Sequence, residues 1–111
     1  MISKTMEKAL NTQVNRELYS AYLYLAMSSC FETVNMKGFS RWMRVQAKEE
    51  QEHALRIYDY IVARGGTVIL LDIEAPKVKW SSAGKVFDEV YANEQKVTAM
   101  IHGLVDLAIK E

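Results

Sequence analysis

One cysteine, one proline and five glycines are all that this 111-residue chain has of the residues that cross-link, kink or sharply turn a backbone. Cys30 has no partner within the chain, so no internal disulfide forms and a reducing, intracellular setting is expected. So little proline and glycine argues against an all-β fold, whose many tight turns need both. Net charge is missing too, because 14 Lys+Arg balance 14 Asp+Glu. A nucleic-acid binder needs a basic excess to neutralise phosphates, so no nucleic-acid partner is expected. No apolar run approaches the roughly 20 residues that span a bilayer, and Met1-Ile2-Ser3-Lys4 leads into no signal-type apolar block. A cytoplasmic chain without a membrane partner is the expectation. Half of its residues are hydrophobic and a quarter are charged, the balance of one small folded domain.

The apolar residues recur at helical spacing. From about Lys4 to Val34, the residues Leu10, Val14, Glu17, Ala21, the adjacent pair Tyr24 and Leu25, and then Ser28 are spaced three or four apart along one face. Ser3 is suited to cap the start, and Glu7 in the first turn suits the positive end of the helix dipole. Asn35 to Gly38 reads as a turn. A second helix is expected from about Phe39 to Arg64, with the stripe Phe39, Met43, Gln46, Glu50, His53, Ile57 and Ile61. Gly65-Gly66 is its stop signal. A third is expected from Ser81 or Ser82 onward, burying Phe87, Val90, Glu94, Val97, Ile101, Leu104, Val105 and Ala108.

Residues 65–80 fit neither pattern. Thr67-Val68-Ile69-Leu70-Leu71 is strand-like, but no second strand exists to pair with it. The segment reads as an extended crossover with its apolar residues down. At about 3.3 Å per residue it reaches roughly 50 Å, enough to return along a second helix of roughly 40 Å. Helices two and three are therefore expected to run parallel.

Each stripe carries a carboxylate where an aliphatic residue would be ordinary. Glu17 lies between Val14 and Ala21, and Glu94 between Val90 and Val97. Glu50 and His53, three residues apart, share one helical face. Burying an unpaired carboxylate costs several kcal/mol, and no Lys or Arg lies in these stripes to offset it. A bound cation can. Folding the first two helices about the Asn35–Gly38 turn brings Glu17, Glu50 and His53 within a turn or two of one level, at about 5.4 Å per turn. Three carboxylates and an imidazole suit iron or manganese and can hold zinc. Paired metals in helical bundles draw one Glu from each of two helices and Glu-x-x-His from each of two others. Three of those four contributions are here. His102 lies about 12 Å along the helix from Glu94, too far to share its metal.

The segments Glu17-Leu18-Tyr19-Ser20-Ala21-Tyr22-Leu23-Tyr24-Leu25, Gly38-Phe39-Ser40-Arg41-Trp42-Met43, Glu49-Glu50-Gln51-Glu52-His53-Ala54 and Arg64-Gly65-Gly66 together resemble the non-haem bacterial and archaeal ferritins. The likeness runs over residues 1–111. It implies an all-α, ferritin-like four-helix bundle, of which this chain supplies the first three long helices. It also implies a ferroxidase that oxidises Fe(II) with oxygen at a di-iron centre and stores ferric mineral in a homo-oligomeric cage of twenty-four subunits. By position, Glu17, Glu50 and His53 would hold one iron, and Glu50 would bridge to a second held by Glu94. Glu49 matches a ligand of a third iron, and Tyr24 a tyrosine that supplies an electron. Gln51 stands where haem-carrying relatives have an axial methionine, so no haem is expected.

Ferritin subunits continue beyond the point matching Glu111 with another long helix. The domain at residues 1–111 is thus expected to be incomplete at its C-terminus, with a partner chain or further residues covering the open side. Two other readings remain: a short ferritin-like protein of the encapsulated type, and a non-catalytic helical assembly module.

Overall fold

A computed structural model describes all 111 residues. It contains three long helices and no strand: α1 (Lys4–Thr33), α2 (Lys37–Ala63) and α3 (Ala83–Lys110). No helix is long and apolar enough to cross a membrane.

The helix ends follow from local chemistry. The Ser3 hydroxyl accepts from the Met6 N–H at 3.1 Å, and the Ser82 hydroxyl caps α3 through the Lys85 N–H at 3.2 Å. Between α1 and α2 the backbone turns through Asn35 at φ 60°, a left-handed angle that asparagine tolerates. After α2 it turns through Gly65 at φ 78°, where the absence of a Cβ removes the penalty. At Gly66 the constraint is closeness instead: a Cβ there would lie 3.0 Å from Ile2 Cδ1 and from Ile61 Cγ2.

Helix α1 is the centre of the fold, with α2 and α3 both packed on it. Ser28 meets Ser40, and Phe31 meets Phe87. At the opposite end, the Ser3 hydroxyl bonds the Glu111 carboxylate. Helix α1 is therefore antiparallel to both partners, and α2 and α3 run parallel, as expected. They approach each other where the Phe87 ring lies 5.3 Å from Phe39 and 5.9 Å from Trp42.

Two apolar clusters form the core. One gathers Leu23, Tyr24, Met27, Phe31, Met43, Ala47 and Val86. The other gathers Leu10, Val14, Ala54 and Ile61. Along α1 the buried polar residues Glu17 and Ser20 fall between them, with Glu50 of α2 and Asn93 of α3 buried as well.

The buried stripes are shifted from those read off the sequence. Because α1 has neighbours on two sides, it also buries Gln13, Ser20, Met27 and Phe31, while Leu25 remains half exposed. On α2, Ser40, Ala47 and Ala54 face inward, and Phe39 stands at the rim. Helix α3 packs along α1, meets α2 through Phe87, and buries a narrow strip, Val86, Asn93 and Val97. Ile101 and Val105, expected inside, are exposed.

The connector does run back along α1, held by polar contacts to its backbone rather than by an apolar face. Asn11 Nδ2 donates to the Thr67 carbonyl at 2.9 Å, and its Oδ1 accepts the Ile69 N–H at 2.8 Å. One turn on, Asn15 donates to the Asp72 carbonyl at 3.0 Å. Glu7 accepts the Thr67 N–H at 2.9 Å. Val68 packs on the core, while Ile69, Leu70 and Leu71 are exposed, contrary to the sequence expectation.

Candidate metal centre

Midway along the bundle, α1 presents Glu17, and α2 presents Glu50 and His53 one turn apart. One ligand atom from each lies within 4.8 Å of the others. His53 Nδ1 stands 3.5 Å from Glu50 Oε2 and 4.0 Å from Glu17 Oε2. Both carboxylates are buried, and the imidazole is half exposed at the rim.

Gln13, one turn before Glu17, donates to Glu17 Oε1 at 3.0 Å. The other oxygen, Oε2, is buried with no hydrogen-bond partner, and so is Glu50 Oε2. Two orphaned carboxylate oxygens facing one imidazole nitrogen form an unstable arrangement unless something positive joins them. A proton is one solution. Glu50 is pushed up to about 9, first by burial, then by hydrogen bonding to and the charge of Glu17, and further by the charges of Glu94 and Glu49. A divalent cation is the other, and two carboxylates with an imidazole fit iron well.

Tyr24 and Glu94 lie on the facing surfaces of α1 and α3. The buried Tyr24 hydroxyl donates to Glu94 Oε1 at 2.5 Å. Burial and then this hydrogen bond to Glu94 raise the phenol far above its ordinary range, so Tyr24 holds its proton. Glu94 is half-buried and lies outside the group formed by Glu17, Glu50 and His53. Glu49 is exposed on the outer side of α2, and its charge still reaches Glu50. His102 is exposed on α3.

Sequence reading missed the polar groups behind these residues. Asn93 donates to Ser20 Oγ at 2.9 Å and to the Tyr24 hydroxyl at 3.1 Å, and accepts from Arg16 at 2.5 Å. The available signal was spacing. Gln13, Ser20 and Tyr24 lie at helical steps from Glu17, so one α1 face carries a polar line rather than a single acid.

The ferritin-like domain model of the ferritin family matches residues 7–111. A bacterial non-heme ferritin of Bacteroides fragilis is 38% identical over 111 residues, all of this chain and 70% of that protein. One from Staphylococcus epidermidis is 42% identical over 108 residues, 97% of this chain and 65% of that protein. Among solved structures, an open-pore ferritin from the hyperthermophilic archaeon Archaeoglobus fulgidus superposes with a TM-score of 0.97 at 48% identity, covering 99% of this chain and 68% of that one. A closed form of the same ferritin, engineered by site-directed mutagenesis, gives 0.96 at 48% identity, covering 99% and 67%. The chain thus spans about two thirds of the length of these proteins.

Proposed function

The chain belongs to the ferritin family, and on that premise we propose that it oxidises ferrous iron with oxygen and stores the ferric product as mineral within an assembly of its own copies. The observation that carries this reading is the pair of orphaned oxygens, Glu17 Oε2 and Glu50 Oε2, buried beside His53.

In this reading iron is the substrate. Glu17 and His53 hold one ferrous ion, and Glu50 bridges it to a second held by Glu94. Two ferrous ions held side by side deliver two electrons to one oxygen molecule, which neither ion can do alone. The anionic ligands favour the ferric charge over the ferrous one, so they stabilise the product. Gln13 keeps Oε1 of Glu17 occupied, leaving Oε2 for the metal. Tyr24, hydrogen-bonded to Glu94, is placed to give a further electron. Glu49 lies on the flank suited to a third iron. Gln51 offers no sulfur to a haem, so the centre works without one.

A second reading has its own support, since the compact group is only Glu17, Glu50 and His53, and Glu94 lies outside it. Under that reading the chain alone binds one iron and needs donors from elsewhere for the second.

Anaerobic titration with ferrous iron, followed by oxygen, separates the two. About two irons per chain, oxidised rapidly, supports the di-iron centre. One iron, oxidised slowly, supports the incomplete site. Binding no tighter than that of Glu50→Ala overturns both.

A further inference from the structure

Behind the proposed centre, a chain of side-chain hydrogen bonds runs from α1 to α3 and back. We propose that Asn93 is a positioning residue for iron oxidation, fixing the Tyr24 hydroxyl as a donor to Glu94. This rests on the functional reading above.

Asn93 is 4% exposed, and its amide is fully engaged. Nδ2 donates to Ser20 Oγ at 2.9 Å and to Tyr24 Oη at 3.1 Å, which uses both amide hydrogens. Oδ1 accepts from Arg16 Nη2 at 2.5 Å. Arg16 itself is held with its guanidinium over the Tyr19 ring, 4.9 Å from the centroid.

The direction of each bond follows from the first. Arginine is cationic at all working pH values and can only donate. It therefore dictates which end of the Asn93 amide faces it, since a flipped amide would set N–H against N–H. With Oδ1 taken by Arg16, Nδ2 must face Tyr24. The Tyr24 oxygen then accepts from Asn93, and its single proton is left to point at Glu94 Oε1, 2.5 Å away.

The consequence reaches the metal side of the bundle. One oxygen of Glu94 is occupied by a fixed donor, and the other stays free for iron. Gln13 does the same for Glu17 from the other direction. Outer partners of this kind typically change metal-site affinity or activity by about 10–100-fold when removed.

The test uses the whole chain. Asn93→Asp preserves shape and its contact with Arg16 but replaces the amide donor with an acceptor. The Tyr24 hydroxyl then turns from Glu94 toward Asp. Arg16→Met releases the amide to flip and attacks the chain from its other end.

Ultraviolet resonance Raman of the metal-free proteins, with the Tyr24→Phe spectrum subtracted, reports how the Tyr24 oxygen is hydrogen-bonded. The expected result is a shifted tyrosine doublet in Asn93→Asp and a broadened one in Arg16→Met. Ferrous oxidation then falls about 10–100-fold in Asn93→Asp.

A wild-type Tyr24 doublet in both Asn93→Asp and Arg16→Met overturns the proposal. An unchanged oxidation rate in Asn93→Asp overturns the link to catalysis. A wild-type chain that oxidises no iron instead overturns the proposed function, and the Raman result alone then decides whether Asn93 orients Tyr24.

Discussion

His53 Nδ1 lies 3.5 Å from Glu50 Oε2, one turn away on α2, so a rim imidazole and a buried carboxylate converge on one point. Neither holds the other in a closed pair, since that Glu50 oxygen has no hydrogen-bond donor. A cation at that point satisfies both.

Ferrous iron should accordingly raise the melting temperature of the protein under anaerobic conditions. Binding to the folded state alone at a hundred times Kd adds about 2.7 kcal/mol of stability. Glu50→Ala should abolish the rise, and His53→Ala should weaken it. Calorimetry with and without iron reads both. An equal rise in wild type and Glu50→Ala would remove Glu50 from the site.

In the metal-free protein, stability should fall as pH rises from about 5 to about 9. Glu50 titrates near 4.5 when unfolded and near 9 when folded. Below both values it is protonated in either state, so its burial costs least. Between them the unfolded chain loses a proton that the folded chain retains, and stability drops by at most about 1.4 kcal/mol per pH unit. Glu50→Gln, neutral throughout, should flatten this slope. Urea titrations at pH 5, 7 and 9 check it, and a wild-type slope that matches Glu50→Gln would contradict it.

Asn11→Ala should release the start of the connector. Asn11 satisfies the Thr67 carbonyl and the Ile69 N–H together, as a neighbouring strand would. Losing it should cost about 1–3 kcal/mol. The Ile69 amide should then exchange with solvent much faster, which hydrogen exchange measures residue by residue.

Two glycines should respond oppositely to alanine. Gly66→Ala places a Cβ against Ile2 and Ile61 at 3.0 Å and against Glu7 Oε2 at 3.1 Å, and overpacking of this kind typically costs about 1–3 kcal/mol. Gly103 lies inside α3 with nothing within 4 Å of a new Cβ. Gly103→Ala should stabilise the helix by up to about 1 kcal/mol. Thermal melts of the two variants should move in opposite directions.

The helix ends and the crossover were legible because their signals are local. Ser3 and Ser82 cap, and Asn35 and Gly65 take left-handed angles, for reasons contained within a few residues. Glu17, Glu50 and His53 were legible as polar intrusions in apolar stripes, which the hairpin of α1 on α2 then superimposes. The rotation of α3 was not legible. The stripes through Val86 and Asn93 and through Phe87 and Glu94 share Val90 and Val97, so the sequence supports both faces, and only packing on α1 chooses. That choice buries Asn93 and leaves Ile101 exposed. The connector misled for a related reason. Hydrophobicity alone placed Ile69 to Leu71 inward, whereas Asn11 and Asn15 fix its backbone and leave those side chains outside.

The path of residues 65–82 along α1 also bears on how the chain acquires this structure. The α1–α2 hairpin closes through a three-residue turn, so its contacts cost little loop entropy and can form first. Helix α3 reaches α1 only after the long crossover lies down, and the clasp between Ser3 and Glu111 spans 108 positions. A two-stage order follows, with the hairpin as the early nucleus and α3 docking late. In reverse, α3 is the segment that opens first, taking Asn93 and Glu94 with it and leaving Glu17, Glu50 and His53 on the still-folded hairpin.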